Sequence, residues 1–270
     1  MKTGALLFAF DGEIAYTKIA QECARRIKKY LDIPVTLVTD QTRTFSGFDN
    51  QILVDSPTKN TRRRWADGDT VTEWKNSGRS GAYDLTPYDR TLLLDVDYLV
   101  SNSSLKTVLE TDGDFFAHNT RMYINENQPK TETFGSLKTK MWWATVCVFN
   151  KCEFAQDVFD IWKMIEQNYN HYSKIFNFRN KPFRNDFCLS MALLLANGNQ
   201  SPDCCAIPWP LINIPDSCEL DNNDSTWKIS YNKLENNKIK NKHIFVKDQD
   251  IHVMCKFNLN KVLETCQSSI

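Results

Sequence analysis

The N-terminal part of the chain contains three apolar segments whose spacing restricts the fold more than any other feature. Ala5 to Phe10 is a continuous apolar run that ends at a polar loop, which predicts a buried strand. From Ile14 to Leu31 the apolar residues recur at helical spacing, and Val35 to Val38 is a second short apolar run. A strand, a helix and a strand within about 35 residues predict a βαβ unit, which pairs its two strands in parallel.

Parallel strands end at one edge of their sheet, and ligands of such folds bind at that edge. The residues that follow the two predicted strands, Phe10, Asp11 and Asp40, are therefore candidate ligand contacts. Tyr16, in the first turn of the predicted helix, is a candidate for stacking on a base. The alternatives stay open, because Asp11 and Asp40 could simply terminate their strands and Tyr16 could belong to the core.

Composition and charge are those of an ordinary globular domain. Of 270 residues, 41% are hydrophobic and 24% are charged, which is enough apolar material for a sizeable core. The formal net charge is zero, so nothing draws the whole molecule toward nucleic acid, and we expect no membrane partner. The first apolar run is too short for a signal peptide, and nine cysteines without metal-type spacing fit a reducing compartment. We therefore expect a cytoplasmic protein.

The most informative motif is an Asp-x-Asp that directly follows the apolar run Leu92 to Leu94. Along an extended chain, alternation sends the side chains of Asp95 and Asp97 to the same side, where their charges repel. A divalent cation with oxygen ligands, Mn²⁺ or Mg²⁺, would remove that repulsion. The alternative is a solvated pair at a strand end that is neutralised by arginine or lysine.

The segment from Tyr83 to Asp97 resembles the corresponding part of glycosyltransferases of the GT-A fold, especially the glycogenin-like enzymes of family 8. Those enzymes have a basic residue upstream of the Asp-x-Asp, a later strand that ends in asparagine, a helix that opens with aspartate, and a C-terminal histidine and lysine. The matching positions are Arg79, Thr145 to Asn150, Asn185-Asp186-Phe187, and Ile251 to Lys256. The glycine that follows the family's histidine and the Pro-Trp near its end are absent here.

The resemblance implies an α/β fold of the GT-A type, in which a Rossmann-like half with a mixed central sheet flanked by helices merges with an acceptor-binding half. Residues 1–270 would form one domain, with about 1–100 binding the nucleotide sugar, UDP-sugar favoured, and about 101–270 binding the acceptor. The implied metal ligands are Asp95, Asp97 and His252. Arg79 and Lys256 would meet the donor phosphates, and Asp186 would face the sugar or acceptor, as general base if the enzyme inverts configuration, or else serve only as a helix N-cap.

The candidate acceptor contacts are a basic cluster and two indoles, namely Arg62, Arg63, Arg64, Trp142 and Trp143. The arginines could hold a phosphate backbone, which makes a hydroxymethylated pyrimidine in bacteriophage-type DNA a candidate acceptor beside glycans, proteins and small molecules. A solvated surface remains the alternative for the arginines, and core packing remains the alternative for the indoles.

Three other functions compete with a hexosyl or pentosyl transferase. A haloacid-dehalogenase-like phosphatase also ends a strand in Asp-x-Asp, but on its first strand. A nucleotidyltransferase needs a glycine-rich loop with arginine after its first strand, and Phe10 to Tyr16 has none. A non-catalytic binding module would not need the carboxylate pair. On the transferase hypothesis, Asp97→Ala is expected to leave folding nearly intact and to lower turnover by about 10²-fold or more.

Overall fold

The computed structural model describes residues 1–59, 62–64, 71–73, 75, 78–126, 128–178, 182–200, 205–223, 226–235 and 238–267. The helices are α1 (Tyr16–Leu31), α2 (Ala82–Leu85), α3 (Ser104–Glu110), α4 (Glu153–Gln167), α5 (Tyr169–Ile175), α6 (Asn185–Ala196) and α7 (Lys256–Gln267). The strands are β1 (Thr3–Phe8), β2 (Val35–Thr39), β3 (Asn50–Leu53), β4 (Arg62–Arg64), β5 (Val71–Glu73), β6 (Arg90–Leu94), β7 (Tyr98–Leu99), β8 (Phe115–His118), β9 (Arg121–Tyr123), β10 (Thr133–Phe134), β11 (Thr139–Lys140), β12 (Trp143–Asn150), β13 (Cys205–Ala206), β14 (Leu211–Ile214), β15 (Glu219–Asn223), β16 (Thr226–Glu235), β17 (Lys238–Lys247) and β18 (Ile251–Val253).

A seven-stranded mixed sheet with strand order β13-β8-β12-β6-β1-β2-β3 forms the centre of the molecule. The predicted βαβ unit is confirmed, because β1 pairs in parallel with β2, with Ala5 opposite Val35. Strand β6 joins β1 in parallel on the other side, and β12 runs antiparallel to β6 and β8. Helix α1 packs against β1 and β2, and α6 packs against β12 and α4. The predicted class, α/β with a mixed central sheet flanked by helices, is confirmed.

The central strands are apolar because helices cover them. Every residue of β2 and β6 is buried, and so is every residue of β1 after Thr3. Helix α1 buries one stripe that includes Ile19, Cys23 and Ile27, which is the pattern of a surface helix packed on a sheet. The helix ends at Asp32, in the left-handed conformation, and Pro34 prevents its continuation.

Two smaller sheets accompany the central one. Strands β7, β18, β14 and β9 form a four-stranded sheet, and β15, β16 and β17 form a three-stranded antiparallel sheet. The second of these is an insertion between β14 and β18, which are neighbours in the first. Among the described residues, no helix combines the length and the apolar character needed to cross a membrane.

Candidate metal centre

Two short strands bring Asp95, Asp97 and His252 together. Asp95 follows β6, and Asp97 directly precedes β7, which pairs antiparallel with β18 and places His252 opposite Tyr98. The backbone N–H of Val253 also donates to the carbonyl oxygen of Asp97 at 2.9 Å. As a result, one ligand atom from each of the three side chains lies within 4.8 Å of the others. The structure thus places the three predicted metal ligands in one cluster at the carboxyl edge of the central sheet.

A hydrogen bond fixes the orientation of the His252 ring. Its Nδ1 lies 2.7 Å from Asn213 Oδ1, and β14 pairs with β18 so that Asn213 stands directly opposite His252. Because the amide oxygen can only accept, Nδ1 is the donor in this hydrogen bond, and Nε2 is the ring nitrogen that faces Asp97. Nε2 lies 3.6 Å from Asp97 Oδ2. Metal-bound histidines are oriented by this kind of outer hydrogen bond.

Two buried cations neutralise the two carboxylates. The guanidinium of Arg79 donates through Nη1 to Asp95 Oδ1, and Lys256 Nζ pairs with Asp97 Oδ2. Burial raises the pKa of Asp95, the Arg79 charge opposes that rise, and the Asp97 charge adds to it. Burial would also raise the pKa of Asp97, but the Lys256 and His252 charges outweigh it and hold the pKa below its ordinary value. The pair is therefore neutralised by arginine and lysine, as the alternative predicted, but Asp97 is buried rather than solvated, and the pair also lies beside the histidine.

Arg79 has more donors than partners. Its side chain is almost fully buried, yet Nε and Nη2 have no hydrogen-bond partner among the residues that the structure describes. Buried polar groups are nearly always hydrogen-bonded, so each orphan needs an explanation. Two donors of a buried guanidinium beside a carboxylate pair are suited to anionic oxygens such as those of a phosphate. The donor set of the cluster, two carboxylates and an imidazole, likewise fits a hard divalent cation.

Helix α4 holds the backbone that presents Arg79. The carboxylate of Glu166 accepts from the N–H of Gly78 at 2.8 Å through one oxygen and from Ser80 Oγ at 2.7 Å through the other. Gly78 has φ of 92°, a conformation that glycine adopts without strain. Neither Glu166 nor Asn213 was singled out from the sequence, because each acts on a residue distant in the chain.

Asp186 lies in the first turn of α6, but the N-cap of this helix is Arg184. Its Oδ1 accepts from the N–H of Ala144 at 2.9 Å, and its Oδ2 accepts from Arg184 at 2.6 Å. The neighbouring Thr145 carbonyl accepts from the N–H of Asp95 at 2.9 Å. Asp186 is therefore not the N-cap that the alternative predicted, and it borders the same edge of the sheet as the carboxylate pair.

The candidate nucleoside contacts follow β1 and β2. Asp11 accepts from both the N–H and the Oγ1 of Thr17 at 2.8 Å, so it anchors the first turn of α1. Lys75 Nζ donates to the Asp11 carbonyl at 3.2 Å and lies 3.9 Å from Asp40 Oδ2. Asp40 also lines a surface depression together with Leu53, Val54, Asp55 and Ser56. Phe10 is buried, and Tyr16 is half-buried against the core.

The two candidate indoles are less accessible than a role in acceptor binding requires. Trp142 is 1% exposed and Trp143 is 6% exposed, so neither ring presents an open stacking face and both belong to the core, which was the alternative. Strand β4 consists of Arg62, Arg63 and Arg64, and it pairs with β5. Their side chains lie outside what the structure describes, so the basic-cluster hypothesis stays a prediction.

A second histidine lies near the cluster and was not expected from the sequence. His118 ends β8, at the same edge of the central sheet, and is fully buried. Its Nδ1 lies 3.0 Å from the carbonyl oxygen of Trp209, which makes Nδ1 the donor. Burial lowers the pKa of His118 to about 4, so the ring is neutral at physiological pH.

No known protein family and no curated protein matches this sequence. Among solved structures, the galactosyltransferase LgtC in complex with donor and acceptor sugar analogues is similar over 70% of this chain and 70% of its own, at 14% identity and a TM-score of 0.47. The glycosyltransferase GlyE of Streptococcus pneumoniae TIGR4 is similar over 71% of this chain, at 14% identity and a TM-score of 0.43, and this chain spans 43% of GlyE. The bifunctional IspDF of Campylobacter jejuni is similar at 9% identity and a TM-score of 0.40, over 78% of this chain and 50% of its own. Sequence identities and TM-scores this low do not establish the function.

Proposed function

We propose that the protein is a metal-dependent glycosyltransferase, which moves a sugar from a nucleotide-diphosphate sugar to a hydroxyl acceptor. The observation that carries the proposal is the cluster of Asp95, Asp97 and His252 beside the partly unpartnered guanidinium of Arg79. The carboxylates and the imidazole suit a divalent cation, while the guanidinium suits an anion. A complex of Mn²⁺ or Mg²⁺ with a diphosphate supplies both charges at once. We favour a UDP-sugar as the donor, on the resemblance of the motif to family 8.

Three residues of the cluster would hold the metal, and two others would contact the leaving group. When bound, the cation supplies Lewis-acid chemistry that stabilises the departing nucleoside diphosphate. Asp95, Asp97 and His252 would hold it, and Arg79 would direct Nε and Nη2 at phosphate oxygens. Lys256 would move its ammonium group from Asp97 to the same oxygens. The positive charge would then stabilise the negative charge that grows on the leaving diphosphate.

Asp186 is the candidate group on the acceptor side. Each of its oxygens already accepts one hydrogen bond, and a carboxylate has further lone pairs for a hydroxyl proton. If the enzyme inverts configuration, Asp186 would be the general base. If it retains configuration, as the resemblance to family 8 implies, Asp186 would orient the sugar or the acceptor. The anomeric configuration of the product, followed by NMR, distinguishes the two roles.

The phosphatase alternative is not favoured. It needs a nucleophilic aspartate on the first strand of its sheet, whereas Asp95 follows β6 and is engaged by Arg79. For the acceptor we propose three candidates, namely a hydroxymethylated pyrimidine in phage-type DNA, a glycan and a protein.

A screen of nucleotide sugars for metal-dependent release of nucleoside diphosphate tests the proposal. Asp97→Asn keeps the size of the side chain and removes its charge, and it should lower turnover by about 10²-fold or more. Asp157→Asn, which removes an exposed carboxylate on α4, is the matched control and should keep wild-type turnover. Full turnover in EDTA, or in Asp97→Asn, would exclude the metal mechanism.

A further inference from the structure

The distal half of the β16–β17 hairpin stands apart from the rest of its sheet. Strand β15 pairs with β16 only from Thr226 to Ser230. Beyond that point, among the residues that the structure describes, the segments 231–235 and 238–242 pair only with each other. This two-stranded ribbon is about 17 Å long, at about 3.4 Å per residue. Residues 232–234 and 238–241 are all exposed, so both faces of the ribbon are open.

The ribbon is strongly basic although the molecule as a whole is neutral. Residues 226–247 carry six lysines and a single glutamate. Lys233 and Lys240 stand directly opposite each other in the register. Like charges at opposed positions destabilise a strand pair, and a two-stranded ribbon is only marginally stable by itself. The single glutamate, Glu235, stands opposite Lys238 at the far end of the hairpin, and the other described acidic residues of this sheet, Glu219 and Asp221, lie on β15 and pair at its base. Positive charge is therefore concentrated in the part of the hairpin that extends beyond β15, away from the hydrophobic core.

The other exposed side chains narrow the choice of anionic partner. One face presents the pairs Asn232–Asn241 and Ser230–His243, which offer hydrogen-bond donors and acceptors. The same face ends in an exposed apolar pair, Leu234 opposite Ile239. Phe245 is also exposed on this face, but the polar pairs Ser230–His243 and Asn232–Asn241 separate it from Leu234 and Ile239, whereas a lipid surface would favour a continuous apolar face. Polar side chains beside a small apolar pair suit a nucleic acid, whose base edges offer hydrogen-bonding groups and, at thymine, a methyl group.

We propose that this ribbon binds duplex DNA. A two-stranded ribbon fits the major groove of B-DNA, which is about 12 Å wide, whereas the major groove of an RNA duplex is too narrow to admit it. The face with Asn232 and Asn241 would turn toward the base edges. The lysines of the ribbon lie on the opposite, outer face, from which their long side chains would reach the phosphates along the two rims of the groove. The inference goes beyond the proposed transferase activity. Because the hairpin is inserted between the strands that carry Asn213 and His252, DNA on the ribbon would be held by the same sheet as the metal centre.

Binding is measured without metal or nucleotide sugar, so its outcome is separate from that of the transferase proposal. A fluorescent duplex of about 20 base pairs is titrated in EDTA at salt concentrations from about 50 to 200 mM, with anisotropy as the readout. The wild type should bind, and the logarithm of its affinity should fall with log salt by about 0.9 per phosphate contacted. In the triple variant Lys233→Ala, Lys238→Ala, Lys240→Ala the slope should flatten by about 2 to 3 and the low-salt affinity should drop at least about tenfold.

The matched control is the triple variant Lys29→Ala, Lys151→Ala, Lys174→Ala, which removes the same charge from exposed positions elsewhere. Its affinity should stay within about twofold of the wild type. Circular dichroism should show native folding in both triple variants, because neither set lies in the core. Three results would overturn the proposal: absence of DNA binding by the wild type, an equal loss in both triple variants, or binding to anionic phosphatidylglycerol vesicles in place of DNA.

Discussion

At the scale of single residues, burial changes how much each charged side chain contributes to the stability of the fold. Asp97 is 2% exposed and is shared by Lys256 and His252. From the sequence alone, its replacement by alanine is expected to be almost neutral for folding. The structure changes that expectation, because the buried ammonium group of Lys256 would lose its carboxylate.

The first prediction follows from this ion pair. Asp97→Ala should lower the free energy of unfolding by about 3 kcal/mol, since it leaves a buried charge unpaired. The double variant Asp97→Ala, Lys256→Met should recover most of that loss, because it removes the unpaired charge and keeps an apolar stem. Urea unfolding measures both values. If the single variant unfolds at the wild-type midpoint, Lys256 does not depend on Asp97 in the folded protein.

The second prediction concerns His118. Its pKa is about 4 in the folded state and about 6.5 in the unfolded chain, so the unfolded state binds more protons between these values. Its contribution to stability is therefore fully present above pH about 6.5 and is lost as the pH falls toward 4. Between pH about 7.5 and about 5 the loss should be about 2 kcal/mol. His118→Asn should remove this part of the pH dependence, measured in urea unfolding as the change with pH in the difference between wild type and variant, whereas His171→Asn, at an exposed position, should retain it.

At the scale of elements, the metal centre depends on connections between segments far apart in the chain. Strand β18 supplies His252, β14 orients it through Asn213, and helix α4 holds the backbone of residues 78–80 that carries Arg79. Glu166 touches neither the carboxylates nor His252 and is therefore a positioning residue.

The third prediction tests this role of Glu166. Glu166→Ala removes both acceptors and should raise the KM for the donor by about tenfold while kcat falls less, because Arg79 is no longer held in register for the diphosphate. Glu166→Gln keeps one acceptor oxygen and should recover part of the loss. Asp160→Ala, on the same helix and exposed, is the matched control. Donor KM equal to wild type in Glu166→Ala would leave Glu166 a purely structural contact.

At the scale of the whole molecule, charge is segregated even though its sum is zero. Cations and carboxylates are buried together at the centre, and the lysine-rich hairpin extends from the inserted sheet. Net charge therefore says little about the partners of this protein, because the field near each site depends on local groups.

The fourth prediction concerns the thermal stability of the whole domain. A ligand that binds only the folded state stabilises it by about 2.7 kcal/mol at a concentration of 100 Kd, which corresponds to a rise in Tm of about 5 °C or more. Mn²⁺ together with UDP should produce such a shift in the wild type and not in His252→Ala. An equal shift in the variant would place the cation elsewhere. Because no sugar is transferred, the measurement does not depend on the acceptor.

Local patterns in the sequence determined the elements that carry the site. The βαβ unit and the buried strand before Asp95 both follow from local patterns, because apolar runs and helical spacing record which part of an element is buried. The hairpin of β16 and β17 is not apparent from the sequence, because asparagine and lysine are poor strand formers and obscure the alternation.

Only the tertiary structure decided which charges meet. The register of β14 with β18 places Asn213 opposite His252, and packing of α4 near residues 78–80 brings Arg79 to Asp95. No local pattern encodes these contacts, because each joins segments that are distant in the chain and depends on how all the layers pack. The same reason applies to Trp142, for which the sequence left both acceptor binding and core packing open, and which the packing of the sheet buries.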